Sequence, residues 1–266
     1  GFIGMDKDGV INFIISNRNA VGNWDASTQY DYHELIDTFQ IVRCLKELGL
    51  INQLSSQEKS EIANSMELYC QFEGYSLLSN DYMSLKLIHS IVRSFSLFDR
   101  ISDLDISGLF NMLATNYKGE FGTYGFLAST NMNQEYMRFR SRPIEYYSYG
   151  QHTYTNQTDS MFSHKITYMA LDSLLQMYKL DDFEAQYGLM DIYNQIIDCQ
   201  YLEYDYENFG AFVLFRRFGP IEYQNNFIFF EYSYYAIKTL ELISNYLDFG
   251  ELVNLSFNQV ALHGYI

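Results

Sequence analysis

The stretch Glu34-Leu-Ile-Asp-Thr-Phe-Gln-Ile-Val-Arg-Cys-Leu-Lys-Glu-Leu-Gly49 places Leu35, Phe39, Val42, Leu45 and Leu48 on one face at 3.6 residues per turn. That spacing predicts an amphipathic helix, and Gly49 supplies its C-terminal stop. Within it, Ile41-Val-Arg43 recurs fifty positions later as Ile91-Val-Arg93, at the same helical phase. Between the two copies Ser55-Ser-Gln-Glu58 has the form of a capping box, ahead of the apolar residues Ile62, Met66, Tyr69 and Cys70. The pattern continues outward. Ile88, Ile91, Val92, Phe95 and Phe98 form one stripe, and Ile106, Leu109, Phe110 and Leu113 a shorter one. Later come Ile166, Met169, Ala170, Leu174 and Tyr178, then Met190, Tyr193 and Ile197. Tyr235, Ile237, Leu240, Ile243 and Leu247 follow, with a last helix expected over Glu251–Leu262. Strand alternation competes only in the aromatic stretches near Phe209–Phe215 and Phe227–Tyr232.

Helices of this kind end in turns built from Gly and an aromatic residue. They are Gly22-Asn-Trp24, Gly74-Tyr75, Gly119 through Phe126, and Cys199-Gln200 leading to Gly210-Ala-Phe212. Recurrent helix pairs with a shared turn predict a stacked α/α architecture, in which no pair can bury its own face alone. An ordinary helical bundle is the alternative.

Composition narrows the class further. The 266 residues carry 17 Lys plus Arg against 33 Asp plus Glu, a formal charge of −16 at pH 7. Apolar residues make up 48% and aromatics 18%, which is enough burial to offset ordering entropy and excludes disorder. The acidic balance argues against nucleic acid as a partner. No apolar run reaches the roughly 18–20 residues of a bilayer span. Cys44, Cys70 and Cys199 lie in helical patterns, where a free Cys acts as a small hydrophobe, so a reducing, cytoplasmic setting is expected. Asn156-Gln-Thr158 and Asn254-Leu-Ser256 match the glycosylation sequon, a pattern common by chance.

Thr167-Tyr-Met-Ala-Leu171 and Ser233-Tyr-Tyr-Ala-Ile237, taken with Val10-Ile-Asn-Phe-Ile-Ile-Ser-Asn17 through Gly22-Asn-Trp24, Tyr32-His-Glu-Leu-Ile-Asp-Thr-Phe39 and Cys44-Leu-Lys-Glu-Leu-Gly49, resemble the repeats of the protein prenyltransferase β-subunit and squalene cyclase superfamily. The resemblance covers most of the chain except residues 127–162. It implies an all-α fold, an (α/α) toroid of repeated helix pairs over 1–266, which with four to five pairs against the family's usual six is either incomplete or part of a larger chain. Residues 127–162 would be an irregular insertion or lid.

The resemblance also sets expectations for chemistry. Prenyltransferases of this kind hold zinc with Asp, Cys and His. The His would fall around Tyr232-Ser233, where there is none, and the Asp-x-Cys near Asp159–Lys165, which offers Asp159 and His164 but no Cys. The expectation is therefore no metal and no cofactor, with zinc only if an enzymatic reading holds. Cyclases use an Asp-x-Asp-Asp run. Asp103-Leu-Asp105 lacks its last Asp and sits at a helix start, where capping is the better role, as it is for Asp181-Asp182.

Five of the nine Arg cluster between helix pairs, as Arg138, Arg140 and Arg142, then Arg216 and Arg217. Guanidinium groups make bidentate contacts with phosphate, so convergent clusters would hold a diphosphate; paired to surface carboxylates, they would only balance charge. Among the five His, His152 and His164 flank a polar stretch, which with Asp159 makes them the catalytic candidates; His33 and His89 sit in helix patterns. In the resembled enzymes aromatics line an isoprenoid cavity, and the repeat phase gives Trp24, Tyr82, Tyr168, Tyr234 and Tyr235 that role. In a non-enzymatic toroid the same rings would fill space. The leading expectation is a prenyltransferase-like toroid domain without complete zinc or Asp-box chemistry, binding an apolar, isoprenoid-like or peptide ligand or a partner protein. The alternative is an active prenyltransferase or terpene cyclase with the Arg clusters on diphosphate. An interaction domain of a longer protein is the third.

Overall fold

A computed structural model describes residues 6–19, 24, 31–72, 84–120, 123–126, 164–200, 210–212 and 230–248. These residues are mostly helical. They cluster into two compact units, Gly1–Asn111 and Met112–Ile266.

The N-terminal unit contains α1 (Lys7–Ser16), α2 (Asp31–Glu47), α3 (Ser56–Phe72), α4 (Ser84–Leu97) and the start of α5 (Ile106–Asn116), with 3₁₀ turns at Ile51–Gln53 and Ile101–Asp103. The stripes read from the sequence lie inside it. Phe39, Val42 and Leu45 of α2 and Ile88, Ile91, Val92 and Phe95 of α4 are buried, and these two helices form the main packed pair. Ile62 and Met66 of α3 close the core. The capping box forms as expected. The Ser55 N–H and hydroxyl both donate to Glu58 at 2.7 Å, and the Glu58 N–H donates back to the Ser55 hydroxyl at 3.2 Å. Those bonds to Ser55 hold the Glu58 carboxyl below its usual value. Asp105 likewise caps α5 through the Gly108 N–H at 3.0 Å, while Asp103 pairs with Arg100 at 2.6 Å. Cys44 is a correction: it is exposed, on the face of α2 opposite the stripe, and so does not serve as a core hydrophobe.

The C-terminal unit takes the end of α5 and continues into a two-stranded antiparallel hairpin, β1 (Tyr117–Glu120) and β2 (Thr123–Phe126), with Tyr117 opposite Phe126. The sequence reading took this stretch as a turn only. Its strands are four residues each, and their end rings are fixed by distant partners. Tyr117 packs edge-on against Phe183 with ring centroids 5.1 Å apart, and Phe126 lies 5.3 Å from Phe183. Then come α6 (His164–Gln176), α7 (Leu180–Tyr187), α8 (Met190–Ile197) and α9 (Phe230–Tyr246). Helices α6 and α9 form the main pair of this unit, and α8 packs on α9 and β2. Of the ambiguous aromatic stretch Phe227–Tyr232, the described residues 230–232 open α9 rather than a strand. In the other, Phe212 bridges Gln200. Cys199 is buried.

Among the described residues, two stripe residues, Met190 and Tyr178, are exposed. Met190 is exposed because α8 turns Leu189, Ile192 and Ile196 inward instead. Tyr178 is 85% exposed because α6 stops at Gln176 and Tyr178 takes the left-handed conformation with φ +57°.

That left-handed residue belongs to a recurring device. Gly49 (φ +70°), Asp99 (φ +58°) and Tyr178 follow α2, α4 and α6 respectively. In each case the next N–H reaches back five residues: Leu50 to Leu45 at 2.7 Å, Arg100 to Phe95 at 2.9 Å, and Lys179 to Leu174 at 2.8 Å. The left-handed residue itself donates three residues back, to Lys46, Ser96 and Leu175. This is the Schellman arrangement, which satisfies helix-end carbonyls that would otherwise be unpaired. Asp248 after α9 is also left-handed, with φ +53°.

Candidate functional site

The two sequence copies of hydroxyl, Tyr, x, Ala or Tyr, Tyr, Ala open α6 and α9. Thr167, Ala170, Ser233 and Ala236 are all buried, the two alanines fully. Small residues at these points let the paired helices approach, while larger neighbours project to either side. The ring of Tyr168 on α6 meets that of Tyr235 on α9 with centroids 5.6 Å apart and planes at 43°. Tyr234 stands almost perpendicular to Tyr235, at 81° and 5.1 Å. Tyr234 keeps 42% of its surface exposed, and Tyr168 and Tyr235 are half-buried.

Charged groups complete the cluster. The Lys165 ammonium lies 5.6 Å from the centroid of the Tyr235 ring and pairs with the Glu231 carboxylate. Asp172 lies two turns along α6 from Lys165 and is buried. Lys238, one turn beyond Tyr234, pairs with Glu241 at 2.8 Å, and that hydrogen bond holds its ammonium above the ordinary lysine value. His164, in the first turn of α6, is buried beside these groups in sequence.

The turn before α9 is tied to its first residues. The Gln200 side chain donates to the Gly210 carbonyl at 3.1 Å, and the Phe212 N–H donates to the Ser233 hydroxyl at 3.0 Å. The N-terminal unit repeats this device, since the Trp24 N–H donates to the Thr38 hydroxyl at 3.2 Å. Trp24 is buried there, its indole N–H donating to the Ile14 carbonyl at 2.8 Å and its ring covered by the Arg18 guanidinium at 5.7 Å. Arg18 in turn pairs with Glu61 at 3.1 Å.

Of the residues singled out from sequence, Tyr168, Tyr234 and Tyr235 therefore come together, with His164 on the same helix. Trp24 stands in the other unit. Arg138, Arg140, Arg142, Arg216, Arg217, Tyr82, His152 and Asp159 lie outside the described residues, as do residues 127–162 and the helix expected over 251–262. The sequence reading missed Lys165 and Glu231. Their signal in the sequence is a pair of opposite charges, each preceding a tyrosine by three or four positions. Among the described residues no three His, Cys, Asp or Glu side chains converge as metal ligands. Among the described residues no helix is long and apolar enough to cross a membrane.

Chemically, the cluster offers apolar ring faces at a partly open surface, flanked by the Lys165–Glu231 and Lys238–Glu241 ion pairs. It suits binding. No protein-family model matches this chain, and no curated protein or solved structure does.

Proposed function

We propose that this chain is a prenyltransferase-like (α/α)-toroid domain that binds an apolar, isoprenoid-like ligand. The observation that carries the reading is the meeting of Tyr168, Tyr234 and Tyr235 at the starts of two paired helices, with ring surface left open. The repeated caps after α2, α4 and α6 support a repeat architecture, as do the matching anchors of Trp24 on Thr38 and Phe212 on Ser233.

Covering an aromatic or aliphatic side-chain-sized surface is worth about 1.5–3 kcal/mol, or roughly 10- to 100-fold in affinity. Calorimetric titration with farnesol should therefore show binding that Tyr168→Ala or Tyr235→Ala weakens about tenfold or more. Equal affinity in wild type and both variants defeats the reading.

A further inference from the structure

The three tyrosines do more than supply apolar area. Tyr234 and Tyr235 make two walls nearly at right angles, and Tyr168 stands as a third against Tyr235. An ammonium already sits over one of those walls, that of Lys165 at 5.6 Å from the Tyr235 centroid, with Glu231 as its counter-ion. A tyrosine face is the negative end of the ring quadrupole, so a group of such faces with a carboxylate beside them attracts a positive, weakly hydrated head. The geometry points to an organic cation as the ligand: an amine or quaternary ammonium whose head displaces Lys165 from the Tyr235 face and whose apolar part lies along Tyr168 and Tyr234. This rests on the aromatic cluster being a ligand platform, and it specifies the charge of what binds there. A chain of net charge −16 adds a long-range field of the same preference.

Lys165 is then an internal competitor, which yields a test opposite in sign to a structural role. Choline and its neutral carbon isostere, 3,3-dimethylbutan-1-ol, serve as probes in an NMR titration of the full chain, with farnesol run alongside. Choline should bind about 2- to 5-fold tighter than the isostere. Lys165→Met should tighten choline by a similar factor and the isostere by less, because only choline also escapes repulsion from the Lys165 charge, so the preference for choline widens. Lys179→Met removes the same charge beyond the C-terminal end of α6, whose eleven-residue rise from Lys165 to Gln176 is about 16 Å and exceeds the screening length, and should change neither affinity. Tyr235→Phe should keep the preference and Tyr235→Leu should lose it, with circular dichroism verifying that both fold. Farnesol binding with choline no better than the isostere in Lys165→Met overturns this inference and spares the platform. Binding of none of the three probes overturns the platform as well.

Discussion

The recurring left-handed cap makes opposite predictions at two of its positions. Gly49 has φ +70°, and a Cβ added there would meet nothing within 4 Å. The whole cost of Gly49→Ala is thus conformational. Holding an L-residue in the left-handed region costs about 1–2 kcal/mol, and the stiffer unfolded chain returns about 0.4–1 kcal/mol. The expected net loss is about 1 kcal/mol. At Tyr178 the same conformation, φ +57°, is imposed on a bulky residue whose ring is 85% exposed and so contributes little packing. Tyr178→Gly relieves the strain at the cost of greater unfolded-state freedom, a gain of about 0.5–1 kcal/mol. Urea unfolding reads both. With slopes of about 1–3 kcal/mol per molar, the midpoints should move by roughly 0.3–1 M, down for Gly49→Ala and up for Tyr178→Gly. Trp24, the single Trp of the chain, is buried in the N-terminal unit and reports Gly49→Ala by fluorescence. Far-ultraviolet circular dichroism reports Tyr178→Gly. An unmoved midpoint for Gly49→Ala, or a lowered one for Tyr178→Gly, refutes the shared-cap argument.

Two further outcomes follow from single hydrogen bonds. Thr38→Val leaves the buried Trp24 N–H without its acceptor and should cost about 1–3 kcal/mol, with a red-shifted Trp24 emission; an unchanged spectrum and stability would contradict the anchor role. Burial and the hydrogen bond to Asp181 push the Tyr246 phenol up to about 12. Because the folded value lies above the ordinary value of 10.0, this contribution is complete below pH 10 and is lost as pH rises towards 12. Tyr246→Phe should flatten that alkaline fall in stability, measured by urea midpoints at pH 9 to 11.5, and an identical slope in the variant would sink the assignment.

What the sequence disclosed were features whose cause is local. The capping box at Ser55–Glu58, the stop at Gly49 and the buried stripes of α2 and α4 depend on residues within one or two turns, so spacing alone reveals them. The errors arose where the residue type carries no cap signal or where a distant neighbour decides. Tyr178 fits the periodicity of α6, yet the helix ends two residues earlier and the cap swings the ring into solvent. Gly119 to Phe126 reads as a turn because the four-residue strands Tyr117–Glu120 and Thr123–Phe126 carry almost no alternation. Their pairing is held by Phe183 of α7, a contact no local window contains.

The candidate site divides the same way. Each tyrosine was visible as a member of a repeated helix opening, but a ring in an opening is equally a space-filler. What distinguishes the two roles is the relation between α6 and α9. Tyr168 against Tyr235 sets the wall, Tyr234 sets the corner, and the Lys165–Glu231 pair places a charge over the ring. An exposed ion pair of this type is worth only about 0–1 kcal/mol, so the fold does not require it for stability. A cation held over an open aromatic face at so small a stabilising return is cheap to displace, and that low displacement cost is what a ligand with its own positive head would exploit.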